Sequence, residues 1–521
     1  MPIAKVSLSR KNFLATFTAL QTEYLSGMNK RLQATNPTFA KGMDKPKLLQ
    51  LRQTTGKRLL YSMILLLAFH VTRGQQEGGQ IYKTYCAGCH GAELQGNTAS
   101  KLIKTEWKYG RERGSIIRNI RFGIPETEMI SWGTVLKDDA VRAVADYIIA
   151  AQETPINATR PIPDHIQTKD YNLKIETLIS TGLRTPWSIE FIDVSRALIT
   201  ERSGRIRLLS HGVLQPEPVT DTPSTFEHKT GGYMDIALDP DFATNGWVYL
   251  SYSEAKGDPS DEHAPGMTKI VRGKIENNRW QDEQILFSVA DSLLVVDGNR
   301  WGCRLMFDRD GFLYFSIGDM DRARDSQDAG RPTGKVFRVN PDGTIPDDNP
   351  FAHTQGALPA IFTLGNRNVQ GITQHPVTGD IWATEHGPMG GDELNILKKG
   401  ANYGWPLITY GVDYDGEVVS EKTHMPNMEQ PVVQWTPSIA VCPAEFNPGS
   451  LFVRWKNNLL IGSLAYEELR RLVIDEGNRV TEQEMILKGY GRIRDIKTAP
   501  DGALYILLNS PDRIIRITPQ K

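Results

Sequence analysis

Two patterns of apolar and polar positions divide the chain. Before about residue 150, apolar residues recur at helical spacing: Ile81, Tyr82 and Tyr85 mark one helix, and Ala140-Val-Arg-Ala-Val-Ala-Asp-Tyr-Ile-Ile149 another, with Asp138 as its expected N-cap. From about Leu173 the pattern changes to short β-rich runs punctuated by Gly, Asp and Pro. A turn followed by a hydrophobic strand recurs at Phe191–Thr200, Asp239–Leu250, Asp308–Ser316, His375–Ala383, Asn447–Val453 and Ala499–Ile506, the fifth copy being the weakest. Six copies within residues 173–521 give about 58 residues per unit, somewhat longer than familiar propeller repeats. Radial repetition leaves few exposed strand edges, so a six-bladed β-propeller is the expected closure, with a pair of β-sandwiches as the alternative.

The predicted architecture is therefore multidomain, a small all-α domain followed by an all-β six-bladed propeller. Residues 1–74 read as a leader, 75–153 as the helical domain, 154–172 as a Pro-rich linker and 173–521 as the propeller. Within the leader, basic residues precede the apolar run Leu59–Phe69, which is short for a bilayer span and fits a signal sequence cleaved near Gly74. An uncleaved membrane anchor is the alternative, and the length ahead of the run makes Met43 a candidate start. The formal charge of −1 conceals an asymmetry. Residues 1–74 carry 12 Lys and Arg against 2 Asp and Glu, leaving 48 against 59 in the remainder, a body near −11. An acidic body argues against nucleic acid or an anionic membrane as partner.

The chemistry of the helical domain lies in Cys86-Ala-Gly-Cys89-His90. Two thiols one helical turn apart can add to the vinyl groups of a haem while the next residue, His90, ligates the iron. Zinc is the competing reading, but no second Cys pair follows. Between Gln75 and Glu153, Met129 is the one methionine; it sits in a Pro-bearing loop from which a thioether can approach the open face of a haem. Core filler is its alternative role. The whole segment resembles a class I cytochrome c domain. Covalent haem attachment normally takes place outside the cytoplasm, so a periplasmic or secreted location is expected.

Residues 173–521 resemble the soluble, pyrroloquinoline-quinone-dependent glucose/sorbosone (aldose sugar) dehydrogenases, which are six-bladed propellers. The stretches that carry the likeness are Thr185-Pro-Trp187, Gly231–Phe242, Gly334–Gly343, Thr363-Leu-Gly-Asn-Arg-Asn-Val-Gln-Gly371, Glu385-His-Gly-Pro-Met-Gly-Gly-Asp-Glu-Leu-Asn395, Ala401–Pro406 and Arg492-Ile-Arg-Asp495. Alternation places Arg492 and Arg494 on one strand face, where two guanidiniums suit the carboxylates of an acidic quinone. The resemblance implies that role for both, and puts Arg367 against the reactive quinone carbonyl. It also implies calcium: one ion held by the carbonyls of Gly387 and Pro388, another by Glu393, Asp413 and the carbonyl of Tyr403. His386 is taken as a loop residue.

Three positions depart from the family pattern. The general-base histidine is replaced by Arg300, whose guanidinium stays protonated and cannot accept a hydroxyl proton. The expected cofactor-binding Gln aligns with Thr230, and the expected Lys with Ala465. Asp297 and Asp319 are alternative bases, Asp319 matching a residue the family uses for structure and substrate contact. Cys303 and Cys442 fall in segments that line the family's pocket, and either pair in an oxidising compartment or stay free thiols. Three readings follow. The first is an exported quinohaemoprotein taking electrons from a sugar or alcohol and passing them, through haem c, to a redox partner protein. The second is a non-catalytic propeller carrying an electron-transfer cytochrome, and the third a redox activity toward an anionic substrate held by Arg300.

Overall fold

The computed structural model describes residues 77–520, apart from 92–93, 95–98, 101, 104–106, 108, 111–112, 125–126, 128, 153–160, 259–260 and 415–416. The leader, including the apolar run 59–69, the candidate start Met43 and the candidate cleavage point, lies outside the described residues. So does much of the expected linker. Among the described residues no helix is long and apolar enough to cross a membrane.

The N-terminal domain consists of helices α1 (residues 77–85), α2 (Ala87–His90), α3 (Arg113–Phe122) and α4 (Asp138–Ala150). Its core joins Tyr82 and Cys86 to Ile116, Ile117 and Ile120 of α3 and to Val141, Val144, Ala145 and Ile148 of α4. These are the apolar positions that the helical spacing selects. Helix α4 begins one residue earlier than expected, with Lys137 as N-cap and Asp138 in the first turn, where it pairs with Arg121. An acid in a first turn complements the exposed amide groups and the helix dipole, so this sequence signal survives the shift.

Six sheets follow. Five are four-stranded blades built from consecutive strands, beginning with Pro186–Phe191, Tyr233–Leu238, Leu305–Phe307, Val369–Gln374 and Val441–Phe446. The sixth combines Arg492–Thr498, Leu504–Asn509 and Arg513–Pro519 with the N-terminal strand Asn172–Ile179, whose Ile175 stands opposite Ile517. First strands of successive blades touch one another around the whole ring, from Pro186–Phe191 through to Arg492–Thr498 and back. Pairing of chain start with chain end closes that ring without free edges between blades. His165–Gln167 adds a further strand outside Asn172–Ile179, so this stretch of the expected linker is sheet.

The sequence repeat has a physical basis in the turn joining the first and second strands of each blade. Asp193, Asp239, Asp308, His375, Asn447 and Asp501 each accept, through the side chain, the amide of the residue two positions on. This local bond reverses the chain and sends the following apolar run back along the blade. In the fifth copy the run after Asn447 is not a strand. It leads to a 3₁₀ turn at Val453–Trp455, and the second strand begins at Leu459.

Candidate functional site

In the N-terminal domain, Cys86 is buried, Cys89 is exposed, and both thiols are free. His90 Nδ1 lies 2.9 Å from the Ser100 carbonyl. A carbonyl can only accept, so Nδ1 carries the proton and Nε2 keeps its lone pair for a metal. Met129 is half-buried against the domain's core, and its carbonyl accepts the Ile124 amide at 2.9 Å. Gly123 makes that turn possible: it has φ +74°, and a Cβ there would stand 2.6 Å from the Met129 carbonyl oxygen. Two thiols, an imidazole with a fixed proton and a core-facing thioether are the donor set of haem c. Among the described residues no three His, Cys, Asp or Glu side chains converge to hold a bare metal ion.

In the propeller, Arg367 from the segment between Ile361–Leu364 and Val369–Gln374, and Arg492 and Arg494 from one strand of the last blade, converge on one imidazole. Burial, then Arg367, Arg494 and Arg492 in turn, depress His386 to about 3, so its ring is neutral. Arg367 donates through Nη1 to the carbonyls of Gly387 at 2.7 Å and His386 at 3.2 Å, and lies over the Trp405 ring at 5.1 Å. Its buried Nε has no acceptor. Arg494 donates to Gln370 Oε1 at 3.2 Å and to Cys442 Sγ at 3.7 Å, with its guanidinium 5.5 Å from the Trp187 ring centre. Burial lowers its pKa, and Arg492 and Arg304 push the same way. Among the described residues no carboxylate pairs with it. A desolvated guanidinium facing further cations is expensive, and an anionic ligand relieves that cost. The residues present therefore fit an acidic quinone: Arg492 and Arg494 toward its carboxylates, and Arg367 Nε toward a carbonyl.

Arg300 is held differently. Its Nε meets Asp319 Oδ1 at 2.6 Å and its Nη2 meets Asp321. Burial works against its charge, and the two acids outweigh it. Asp319 is fully buried, with its other oxygen accepting Trp405 Nε1 at 2.8 Å. Neither Arg300 nor Asp319 is thus free to accept a proton. Thr230 Oγ1 donates to Asn299 and accepts the Arg300 amide, which places it in the pocket rim with its hydroxyl committed. Asp297, the other candidate base, accepts His263 Nδ1 at 2.8 Å, and Lys229 Nζ donates to its carbonyl. This His–Asp pair went unnoticed in the sequence because 34 residues separate its members; an antiparallel bridge between Gly266 and Val295 brings the segments together.

The acids expected to hold calcium fall into two groups. Glu393 is half-buried beside the buried Glu385 and Asp392, and desolvation with the Glu385 charge pushes it well above the usual carboxylate range. Desolvation likewise raises Glu385, despite the Arg367 amide and Asn366 Nδ2 that donate to it. Tyr403 is buried within electrostatic reach of both. Like-charged desolvated carboxylates of this kind suit a divalent cation. Asp413 is exposed, accepts the Tyr414 amide, and does not join Glu385 and Glu393 in a three-acid cluster. The Gly387 carbonyl accepts from Arg367 and the Pro388 carbonyl from the Gly390 amide, and each keeps a second lone pair for a cation.

Beneath the arginines, Arg304 crosses the propeller axis, donating to Asp495 at 2.9 Å, to Asp235 at 3.4 Å and to the Arg494 carbonyl at 3.2 Å. Cys303 and Cys442 are buried, free thiols in this layer. Trp187, Gln370, Asn368 and Trp405 also frame the site. Each stands in a stretch whose order along the chain matches the sugar dehydrogenases, but the stretch alone does not say which side chains turn inward.

A six-bladed propeller with an arginine-lined pocket, preceded by a haem-binding motif on its own helical domain, defines a two-part redox protein. Residues 183–516 match the family model described as Glucose / Sorbosone dehydrogenase, and residues 74–148 match that of Cytochrome C oxidase, cbb3-type, subunit III. The chain is 36% identical over 348 residues to the aldose sugar dehydrogenase YliI of Escherichia coli, covering 66% of this chain and 92% of that relative. It is 25% identical over 446 residues to quinoprotein glucose dehydrogenase B of Acinetobacter calcoaceticus, covering 70% and 92%. The solved apo-form structure of the soluble E. coli aldose sugar dehydrogenase superposes with a TM-score of 0.62 at 34% identity, covering 67% of this chain and 100% of that one. The chain belongs to the glucose/sorbosone dehydrogenase family and carries a cytochrome c domain ahead of the family's propeller.

Proposed function

We propose that the protein is an exported quinohaemoprotein dehydrogenase that oxidises the CH–OH group of a sugar or other alcohol and delivers the electrons through haem c to an external redox protein. The observation that carries this reading is the half-buried Arg494 guanidinium, without a carboxylate partner among the described residues and set among Arg492, Arg367 and a neutral His386. Bound there, pyrroloquinoline quinone would supply two-electron oxidation of an alcohol carbon, and haem c a one-electron outlet. Arg492 and Arg494 would hold its anionic edge, and Arg367 Nε would be the donor to the carbonyl where negative charge develops. Glu385 and Glu393 hold calcium. Relatives named for glucose and aldose sugars support a sugar as substrate. The leader and the haem motif support a periplasmic or secreted location.

Proton abstraction falls to a group other than residue 300. His263, on the same rim, is the imidazole available for it, and its hydrogen bond to Asp297 raises its pKa. Arg300 neutralised by two carboxylates disfavours the reading in which it binds an anionic substrate. The non-catalytic reading keeps one observation in its favour, the absence of both the base histidine and the pocket lysine, the latter replaced by Ala465. Mixing haem-loaded apoprotein with the quinone and calcium, then following haem reduction across neutral and anionic substrates, separates the three. Reduction by neutral sugars supports dehydrogenation, and quinone binding without reduction by any substrate supports the non-catalytic reading.

A further inference from the structure

The two domains meet at a place that bears on how electrons leave the propeller. Helix α3 has two faces. Ile116, Ile117 and Ile120 enter the cytochrome core, which also contains Cys86 and half-buried Met129. Gly114 and Arg118, four residues apart and so on one face, lie away from that core. A Cβ on Gly114 would stand 3.1 Å from Met389 Sδ of the propeller, closer than ordinary van der Waals contact. Arg118 is 6% exposed, donates to Asn119 Oδ1 at 3.1 Å, and is desolvated within electrostatic reach of Tyr466 of the propeller. Burying a guanidinium at the surface of so small a domain is unfavourable unless a fixed neighbour covers it. The two propeller residues it meets have significant neighbours of their own. Met389 follows Gly387 and Pro388, whose segment accepts Arg367, and Tyr466 follows Ala465, which stands where the family's pocket lysine would be.

We infer that the Gly114–Arg118 face of α3, seated on Met389 and Tyr466, is the docking surface through which electrons pass from the quinone pocket to the haem of the same chain. This rests on the proposed quinohaemoprotein reading for its electron source, while the docking itself rests on the contact alone. Glycine is a poor helix residue because it gains nothing from a side chain and loses more backbone freedom on folding. Here its bare surface lets the helix approach the Met389 thioether. Docking at the rim also removes the need for the propeller's product electrons to find a separate cytochrome by diffusion.

The test uses the full haem-loaded chain with the double substitution Gly114→Cys and Met389→Cys. The native thiols do not interfere: Cys86 and Cys89 are consumed by haem attachment, and Cys303 and Cys442 are buried. Docking as inferred holds a Cβ at 114 within 3.1 Å of Met389 Sδ, two bonds beyond the Met389 Cβ, so a small adjustment brings the two new Cβ atoms to the separation of about 3.5–4.5 Å that a disulfide needs. Mild oxidation should then give an intramolecular crosslink, read by mass and by non-reducing gel mobility, with the haem spectrum unchanged. Absence of the crosslink in protein with an intact haem spectrum overturns the docking, whether or not quinone binds. The electron route is read separately. Gly114→Trp should cause a loss of substrate-driven haem reduction while reduction of a small diffusible dye by the propeller continues. Equal rates of haem reduction in Gly114→Trp and the parent protein, or a crosslinked double variant whose haem no longer accepts electrons, would overturn the route.

Discussion

Arg300 Nε lies 2.6 Å from Asp319 Oδ1, at the position where the sequence resemblance leads one to expect a base. The guanidinium is a structural counter-ion to a fully buried carboxylate, and its charge serves the fold before it serves any substrate. Removing one partner of a buried pair typically costs about 3–5 kcal/mol. Arg300→Ala should therefore lower the melting temperature markedly. Arg300→His has a more informative outcome. Asp319 and Asp321 raise the new imidazole's pKa, so its stabilising charge is present at low pH and lost as pH rises through that raised value. Over the same interval the neutral ring becomes available as a base. General-base catalysis is worth roughly 10²–10⁴ in rate, so sugar-driven haem reduction should increase above that pKa while thermal stability declines. A pH-independent rate in this variant contradicts the account.

The His263–Asp297 pair gives a second pH signature. Its hydrogen bond raises the imidazole pKa, so the basic form appears only as pH rises above that value. Asp297→Asn should move the rising limb of the rate profile to lower pH, and His263→Gln should abolish that limb. A profile unchanged in both variants assigns proton abstraction elsewhere.

For the haem, Met129→Ala should remove the long-wavelength sulfur-to-iron band of the oxidised protein and lower its reduction potential, since Met/His ligation raises it. A band that persists in the variant rules out Met129 as the axial ligand.

Calcium should be visible in stability. Desolvation raises the carboxyls of Glu385 and Glu393 in the folded chain. Between the ordinary carboxylate pKa and the raised values the folded state holds more protons than the unfolded state, so metal-free protein loses stability as pH rises toward neutrality. Calcium bound only by the folded state reverses that loss by mass action. Chelation should thus lower the melting temperature more at pH 8 than at pH 5, and Glu393→Gln should shrink the difference. Equal chelator effects at both pH values contradict a cation at this pair.

The propeller was legible because its signal is local. An Asp, Asn or His at each turn binds an amide two residues on, and that bond leaves a recurring sequence trace. Where the connection lengthens, as after Asn447, the trace weakens and the apolar run becomes a 3₁₀ turn. The haem site was legible for the same reason, since its thiols and imidazole lie within five residues. The pocket was harder to read. Alternation correctly paired Arg492 with Arg494, but a β-bulge between Ile493 and Asp495 interrupts the register there, and no periodicity signals it. Convergence of Arg367, Arg494 and His386 depends on ring closure, as does the reach of Arg304 to Asp495, 191 residues away. The pairing of Arg300 with Asp319 and Asp321 was likewise hidden, although it decides what Arg300 can do.

The proposed anionic quinone site depends on Arg494, half-buried and without a carboxylate partner among the described residues. Titrating pyrroloquinoline quinone into haem-loaded protein with calcium present, by calorimetry, tests it most directly. The account predicts saturable binding at one site per chain, lost in Arg494→Met while the haem spectrum and the fold remain intact. No binding to the parent protein, or binding that Arg494→Met leaves unchanged, would contradict it.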